Sequence, residues 1–292
     1  MSNVNYGGQA VIEGVMMRGP SLWAVAVRRP DQAIALDLNP VSSFPERAPF
    51  FKWPFFRGVA VLVESLVIGI KALSYSAEQA VGEEEEIKGW EMGLTLLIAL
   101  VLAIFFFVIL PTGITHYLAA GVKSSLAQNA IEGIFRLAVF LGYIAAIGQL
   151  SEIKRVFAYH GAEHKVINAY EAKEALTVEN VQRYSTFHPR CGTSFIFIVL
   201  VFSILLFSLL PVGALWWRIT SRILVLPVLA GLSYEMLKLS AKYPDFILSY
   251  LFIIPGRWLQ GLTTGQPDHA QVEVAIQALQ AVLSKEGERS VR

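Results

Sequence analysis

Long apolar runs constrain the fold of this chain more than any other feature of its sequence. Residues 93–117, 130–150 and 193–216 are each long and apolar enough to cross a hydrocarbon core of about 30 Å as a helix. A fourth run, residues 220–239, is apolar except near its end. Charged residues make up only 16% of the 292 residues, against roughly 25% in soluble domains. We therefore expect a polytopic α-helical membrane protein with about four transmembrane helices.

Two further apolar segments are not expected to span the membrane alone. Segment 55–81 carries a charged residue at every seventh position, which predicts an amphipathic helix that lies in the interface or packs against the bundle. These residues are Arg57, Glu64, Lys71 and Glu78. Residues 246–254, between two prolines, are too few to cross the bilayer and predict a re-entrant or interfacial segment.

The distribution of charge predicts the orientation. The loop between the second and third runs, residues 151–192, holds most of the Lys and Arg residues of the connections, whereas the others hold little beyond Lys123 and Arg218. The positive-inside tendency places this loop in the cytosol, and four spans then place both termini there. The net charge of +1 gives no electrostatic case for binding nucleic acid. The single cysteine, Cys191, excludes an internal disulfide.

The segments outside the apolar runs have their own patterns. Residues 1–54 predict a small antiparallel meander of about three strands, with Glu13 inside the first. The expected strands are 10–17, 23–29 and 33–38. Residues 44–56 predict an extended lead into the membrane surface, and the four glutamates at 83–86 predict a solvated connector. Residues 261–292 predict a C-terminal amphipathic helix on the cytosolic side.

The run 159–164 carries the most chemically specific pattern in the chain. His160, Glu163 and His164 lie in a predicted helix over residues 152–175, where positions i, i+3 and i+4 share one face. The spacing H-x-x-E-H is the inverted zincin signature, and neutral imidazole is the commonest metal ligand among side chains. Both histidines also fall within the apolar stripe of this helix, so we expect them to face protein or membrane rather than water.

A purely structural role accounts for the same pattern equally well at the level of sequence. In that case the two histidines are partly buried side chains that bond neighbouring carboxylates. Gly161, between them, either lets another backbone or a ligand come close to the helix, or breaks the helix and ruins the i, i+4 geometry.

Further ligands and catalytic groups are expected on the same side of the membrane. The turn 186–192 presents His188 and Cys191 as metal ligands and Arg190 as an anion-binding group. A simple turn before a helix, with a buried thiol, accounts for that segment too. The other candidates are Glu163 and Glu171 as base or outer-sphere partner, and Glu235, Asp268 and His269 as metal ligands, although Asp268 is also a natural N-cap.

Several motifs together resemble the YqhQ-like bacterial membrane proteins, which are catalogued as a domain of unknown function. The resemblance runs in order through nearly the whole chain, on the blocks Gly7–Gly19, Arg57-Gly58 with Glu64-Ser65, Tyr159–Glu171, His188–Phe195, Gly231–Glu235, Pro255–Gln260 and Gln266–Glu273. That family is described as predicted metal-dependent enzymes, without a substrate. The resemblance implies a multi-pass protein of the bacterial plasma membrane and adds weight to a divalent metal, with zinc the first candidate. Inverted zincins are large soluble peptidases, so their ligand chemistry carries over but their reaction does not.

Three functions are consistent with these features. The first is a membrane-embedded metal-dependent enzyme, hydrolytic, with a His/Glu site at the cytosolic membrane face and a lipid-linked or membrane-peptide substrate. The second is a non-catalytic assembly, insertion or regulatory factor that binds other membrane proteins. The third is a small-solute transporter, which the absence of a visible internal repeat disfavours. The bilayer is an expected partner in all three, and a homo-oligomer remains open.

Overall fold

The computed structural model describes residues 6–41, 53, 56–81, 89–211, 213–243 and 247–290. The predicted lead at 44–56, apart from Trp53 and Phe56, and the acidic connector at 83–86 lie outside the described residues. Within them, the chain is mostly helical and has one small antiparallel sheet near its N-terminus.

The sheet has four strands rather than the three predicted. They pair in chain order and are β1 (Gly7–Val11), β2 (Gly14–Arg18), β3 (Leu22–Arg28) and β4 (Ile34–Pro40). The predicted strand 10–17 is wrong, because it is a hairpin in which Val11 pairs with Gly14 across a two-residue turn. Glu13 lies in that turn with a φ of 51°, not inside a strand. Its carboxylate accepts a hydrogen bond of 2.6 Å from Nε of Arg155.

Ten helices follow in the described part of the chain, with one π-helical turn, Phe105–Ile109, between the second and third. They are α1 (Phe56–Val81), α2 (Gly89–Ile104), α3 (Leu110–Leu118), α4 (Ser125–Ile147), α5 (Ser151–Glu171), α6 (Val178–Gln182), α7 (Gly192–Ser208), α8 (Leu215–Lys242), α9 (Ile247–Thr263) and α10 (His269–Ser290).

Helices cover both faces of the sheet, which explains why β2 is buried along nearly its whole length. Val15 and Met17 point to one face, where they pack in a core with Val166 of α5 and Leu279 of α10. Met16 points to the opposite face and packs in a second core with residues of α1 such as Ile68 and Ala72. Because successive strand residues alternate between faces, a fully apolar strand is what this three-layer arrangement requires.

Among the described residues, three stretches are long and apolar enough to cross a membrane: Gly89–Leu118, Ser125–Ile147 and Leu215–Ser240. They correspond to three of the four predicted runs and, by length and composition, indicate a membrane protein. The remaining run, 193–216, forms the shorter apolar helix α7, which has 17 residues.

Helix α1 packs against protein on two sides, in agreement with its predicted polar stripe. Arg57 donates to the carboxylate of Glu235 on α8, with a distance of 2.6 Å from Nε. About two turns further along α1, Glu64 is buried and forms an ion pair with Arg18 of β2. The charges near its start therefore join the membrane bundle to the sheet.

The short apolar segment predicted for residues 246–254 does not end before Pro255. Helix α9 includes Pro255 and has 17 residues. It approaches α7 closely at the next residue, since a Cβ on Gly256 would lie 2.6 Å from the hydroxyl of Ser194. A proline in a helix removes one backbone hydrogen bond but does not require the helix to stop.

Candidate metal centre

Helix α5 is continuous through Gly161. Another part of the backbone lies directly on the helix at this residue. The N–H of Gly265 donates to the carbonyl of Phe157 at 2.7 Å. A Cβ on Gly161 would lie only 2.0 Å from the carbonyl oxygen of Gly265. Of the two roles that the sequence leaves open for this glycine, the structure has the close backbone approach and not the helix break.

The two histidines of α5 are held by backbone carbonyls. Nδ1 of His160 lies 2.8 Å from the carbonyl oxygen of Thr263, and Nδ1 of His164 lies 2.5 Å from that of Thr186. A carbonyl can only accept, so both Nδ1 atoms carry a proton, and in the neutral form of each ring Nε2 then has a lone pair. The two rings are neighbours, with centroids 4.4 Å apart.

Cys191 completes a group of three metal-type donors. It is the N-cap residue of α7, it is buried, and its Sγ lies 3.2 Å from Nε2 of His160. His160, His164 and Cys191 each offer one ligand atom, and these atoms lie within 4.8 Å of one another. Zinc bonds of about 2.0–2.3 Å need ligand atoms no more than about 4 Å apart, so metal binding requires a small contraction of the group.

His188 lies beside this cluster. Its ring centroid is 5.8 Å from that of His164. Its backbone is fixed by Gln260, whose side chain accepts from the N–H at 3.1 Å and donates to the carbonyl at 2.9 Å. Burial, helped by the charges of Arg190 and His164, lowers the pKa of His188 to about 3. The ring is therefore neutral, and its buried Nε2 has no hydrogen-bond partner among the described residues.

The three predicted catalytic residues take different positions. Arg190 and Glu171 form an ion pair with each other, and the Glu171 carboxylate also lies 3.6 Å from Nε2 of His188. Glu163 does not belong to the group of three metal-type donors and extends towards the sheet instead. Its carboxyl group lies against Gly8 of β1 and accepts a backbone hydrogen bond there. Burial raises the pKa of Glu163 to about 7, although His160 and this hydrogen bond oppose the shift.

The structure does not bring the other three predicted ligands to the cluster. Glu235 is paired with Arg57. Asp268 caps α10, since it accepts from the N–H of Gln271 at 2.8 Å and its own N–H donates to the Gln271 side chain at 3.0 Å. His269, the first residue of α10, is exposed. Glu235 and Asp268 are therefore engaged elsewhere.

Sequence reasoning missed the groups that orient the histidines. These are the main-chain carbonyls of Thr186 and Thr263, which no side-chain pattern reveals. The glycine at position 161 is a partial signal, because it indicates that some backbone comes close to α5.

Two cavities have lining residues that are next in sequence to groups of the site. An apolar crevice of about 430 Å³ lies between α4, α7 and α9, with Phe140, Leu200, Trp258 and Leu262 in its lining. Leu262 immediately precedes Thr263, whose carbonyl holds His160. On the side of the sheet, a cavity of about 370 Å³ includes Arg18 and Arg190 in its lining. Arg190 of this second lining immediately precedes Cys191.

Fold and site define this chain as a helical membrane protein that carries a small β-sheet and a His/His/Cys cluster at one end of its bundle. Residues 53–285 match the family described as "Protein of unknown function (DUF1385)", and the chain belongs to that family. It is also 39% identical, over 295 aligned positions, to "Uncharacterized protein YqhQ" of Bacillus subtilis (strain 168), with 96% of this chain and 93% of the relative covered. No solved structure matches the chain.

The contact at Gly161 predicts a measurable effect of one methyl group. Gly161→Ala places a Cβ against the Gly265 carbonyl, which should displace the segment that holds His160 and cost about 1–3 kcal/mol of stability. Elsewhere in a helix the same change is neutral or slightly stabilising. Gly142→Ala in α4, where nothing lies within 4 Å of the new Cβ, is the matched control. Thermal unfolding in detergent measures both, and equal melting temperatures would refute the contact.

Proposed function

We propose that this protein is a membrane-embedded metal-dependent hydrolase, in which His160, His164 and Cys191 hold a divalent ion, with zinc as the first candidate. The observation that carries the proposal is the tautomer of the two histidines. Each donates Nδ1–H to a backbone carbonyl, which is the usual outer-sphere partner of a metal-bound histidine. Each therefore presents an Nε2 lone pair, and the buried Nε2 of His164 has no partner within the described residues.

The donor set fits a catalytic ion better than a purely structural one. Two imidazoles and one thiolate are zinc ligands, and three protein ligands leave a position for water. A metal held there would make hydroxide available near neutral pH. The residues of the chain would supply the rest: His188 is a neutral hydrogen-bonding group, Glu171 lies 3.6 Å from it, and Arg190 is placed to bind an anionic group of the substrate.

The location favours an amphiphilic, lipid-linked substrate. The apolar crevice of about 430 Å³ suits a hydrocarbon chain, and the cavity with Arg18 and Arg190 suits a negatively charged head group. In this proposal α7 is the fourth span. Loop 151–192 and both termini then face the cytosol of a bacterium, and the chemistry takes place at the cytosolic membrane face.

Metal content tests the proposal. Protein purified without chelator should contain about one equivalent of zinc, and His160→Ala/His164→Ala should contain almost none. His269→Ala, which changes an exposed histidine outside the cluster, should keep the metal. Wild-type protein that stays metal-free when zinc is supplied would refute the metal centre. Metal-loaded protein that hydrolyses no lipid-linked phosphate or acyl substrate would refute the hydrolase.

One observation favours a second function. Nε2 of His188 is also buried and without a partner among the described residues, so it would become a fourth ligand if it moved closer to the group of three, to which it does not belong. A closed four-ligand site is structural and would join α5 to the segment before α7. The protein would then be a non-catalytic assembly or regulatory factor whose metal stabilises its cytosolic face.

A further inference from the structure

A second cluster of polar side chains lies inside the membrane bundle. It reaches α7 at Ser203, which accepts from Arg136. Ser203 is about 18 Å along α7 from Cys191, at ~1.5 Å per residue. Its centre is Glu132 of α4, which is 1% exposed. This carboxylate accepts from Arg136 at 2.8 Å, from Arg218 at 2.9 Å and from Arg222 at 3.0 Å. All three arginines are buried.

Neighbouring groups fix this network without adding negative charge. Nε of Arg136 donates to the carbonyl of Phe107 at 2.9 Å. Phe107 lies in the π-helical turn between α2 and α3, and such turns are frequent at functional sites. The guanidinium groups of Arg136 and Arg222 also lie over the ring of Phe207, at 4.9 and 5.3 Å. Glu132 therefore meets three buried cations, and the contacts described leave an excess of positive charge.

The hydrogen-bond donors of the network also exceed its acceptors. Glu132 accepts from Thr112 as well as from the three arginines, so its oxygens are already used. Three buried polar atoms around it have no partner in the described part of the chain: Nε of Arg218, Nδ2 of Asn129 and Oγ1 of Thr115. The orientation of the Asn129 amide is fixed, since its Oδ1 accepts from Arg222 at 2.6 Å.

These three atoms belong to one layer of the bundle. Asn129 precedes Glu132 by one turn of α4, Arg218 precedes Arg222 by one turn of α8, and Thr115 follows Thr112 by one turn of α3. Helices α4 and α8 begin at this end of the bundle and α3 ends there, so all three residues are displaced from Glu132 in the same direction. Two of the groups are donors only, and the threonine hydroxyl is able to donate.

We propose that this layer is a binding site for a small anion of halide size. A cationic group, an amide and a hydroxyl offer donors there, and an anion would satisfy them and reduce the charge excess. Water would accept two of the bonds but leave the charge unchanged. Arg218, Asn129 and Thr115 are at most 2% exposed, and such deep burial favours a single-atom ion over a phosphate head group. The site is independent of the metal centre.

Equilibrium binding of radioactive chloride to the full-length protein in detergent, with gluconate as the background anion, tests the site. Wild-type protein should bind about one equivalent saturably, and bromide should compete while phosphate does not. Asn129→Asp keeps the acceptor for Arg222 but replaces the unpartnered donor with an internal negative charge. It should abolish chloride binding and melt in gluconate no lower than wild type.

Two threonine variants supply an isosteric comparison. Thr115→Val removes one donor and should weaken chloride binding roughly 10-fold. Thr95→Val, in the exposed part of α2, should bind as wild type does. If Asn129→Asp does not fold, the pair of valine variants carries the test. The proposal is overturned if wild type binds no chloride, if phosphate competes better than bromide, or if a folded Asn129→Asp or Thr115→Val binds chloride like wild type.

Discussion

Replacing Glu132 by Gln is expected to destabilise the protein by about 3–5 kcal/mol, because it leaves a buried charged network without its anion. Arg136, Arg218 and Arg222 all donate to this carboxylate, and the change leaves three guanidinium groups to repel one another inside the bundle. The side chain keeps its size, so the effect is electrostatic rather than a cavity effect. Unfolding in mixed detergent micelles, followed by circular dichroism, measures the loss.

Two comparisons isolate this effect. Glu174→Gln removes an exposed carboxylate from the loop between α5 and α6 and should leave the unfolding midpoint unchanged. Combining Glu132→Gln with Arg218→Gln removes one of the unpaired cations, so the double variant should be more stable than the sum of the two single effects predicts. Strictly additive losses, or a midpoint for Glu132→Gln equal to that of wild type, would mean that the network does not hold the bundle together.

The sequence contains signals for this network, but they are weak when taken one at a time. Glu132 and Arg136 are separated by four residues in the second apolar run, and Arg218 and Arg222 are separated by four residues at the start of α8. Each pair lies on one helix face, and an ionisable residue within a span is a functional candidate by default. Only tertiary packing shows that the two pairs meet, since 90 residues separate Glu132 from Arg222.

The difference between local and non-local information also explains where the structure agrees with the predictions from the sequence and where it differs from them. Apolar length predicted the long helices, and the recurring charges of 55–81 predicted a helix that packs against protein. The hairpin at Glu13 escaped prediction because its turn, Ile12-Glu13, has neither a glycine nor an asparagine, the usual signals of a two-residue turn. Glu235 was a reasonable ligand by position alone, but the partner that neutralises it, Arg57, is 178 residues away in the chain.

The candidate site was predictable where it depends on helix geometry and not where it depends on loops. His160 and His164 are neighbours because they are one turn apart. The approach of Cys191 depends on how the loop before α7 returns to α5, and two main-chain carbonyls set the tautomers. The motif spacing also suggested that Glu163 shares the histidine face, but its carboxyl group lies at β1. The carboxylate that lies close to the ring of His188 is that of Glu171, at 3.6 Å from Nε2.

Replacing Cys191 by Ser is expected to weaken zinc binding at least 100-fold, since it removes the thiolate from a three-ligand set and loss of mere outer-sphere partners costs about 10–100-fold. Cobalt as a probe makes the result specific. Wild-type protein loaded with cobalt should show a near-ultraviolet thiolate-to-metal charge-transfer band, and Cys191→Ser should lack it. A band that persists in Cys191→Ser, in this chain with one cysteine, would exclude Cys191 as a ligand.

His188→Ala then distinguishes the two proposed functions. If three ligands hold the ion and His188 only forms hydrogen bonds beside it, the variant should keep the cobalt band, bind zinc within about 10-fold of wild type and lose hydrolytic activity. If His188 is the fourth ligand, its loss should weaken zinc binding by about as much as the loss of Cys191. The buried Nε2 of His188, without a partner in the described part of the chain, is compatible with both roles, so zinc affinity rather than activity decides between them. A large loss of affinity would favour the structural site, because a closed set of four ligands leaves no position for water.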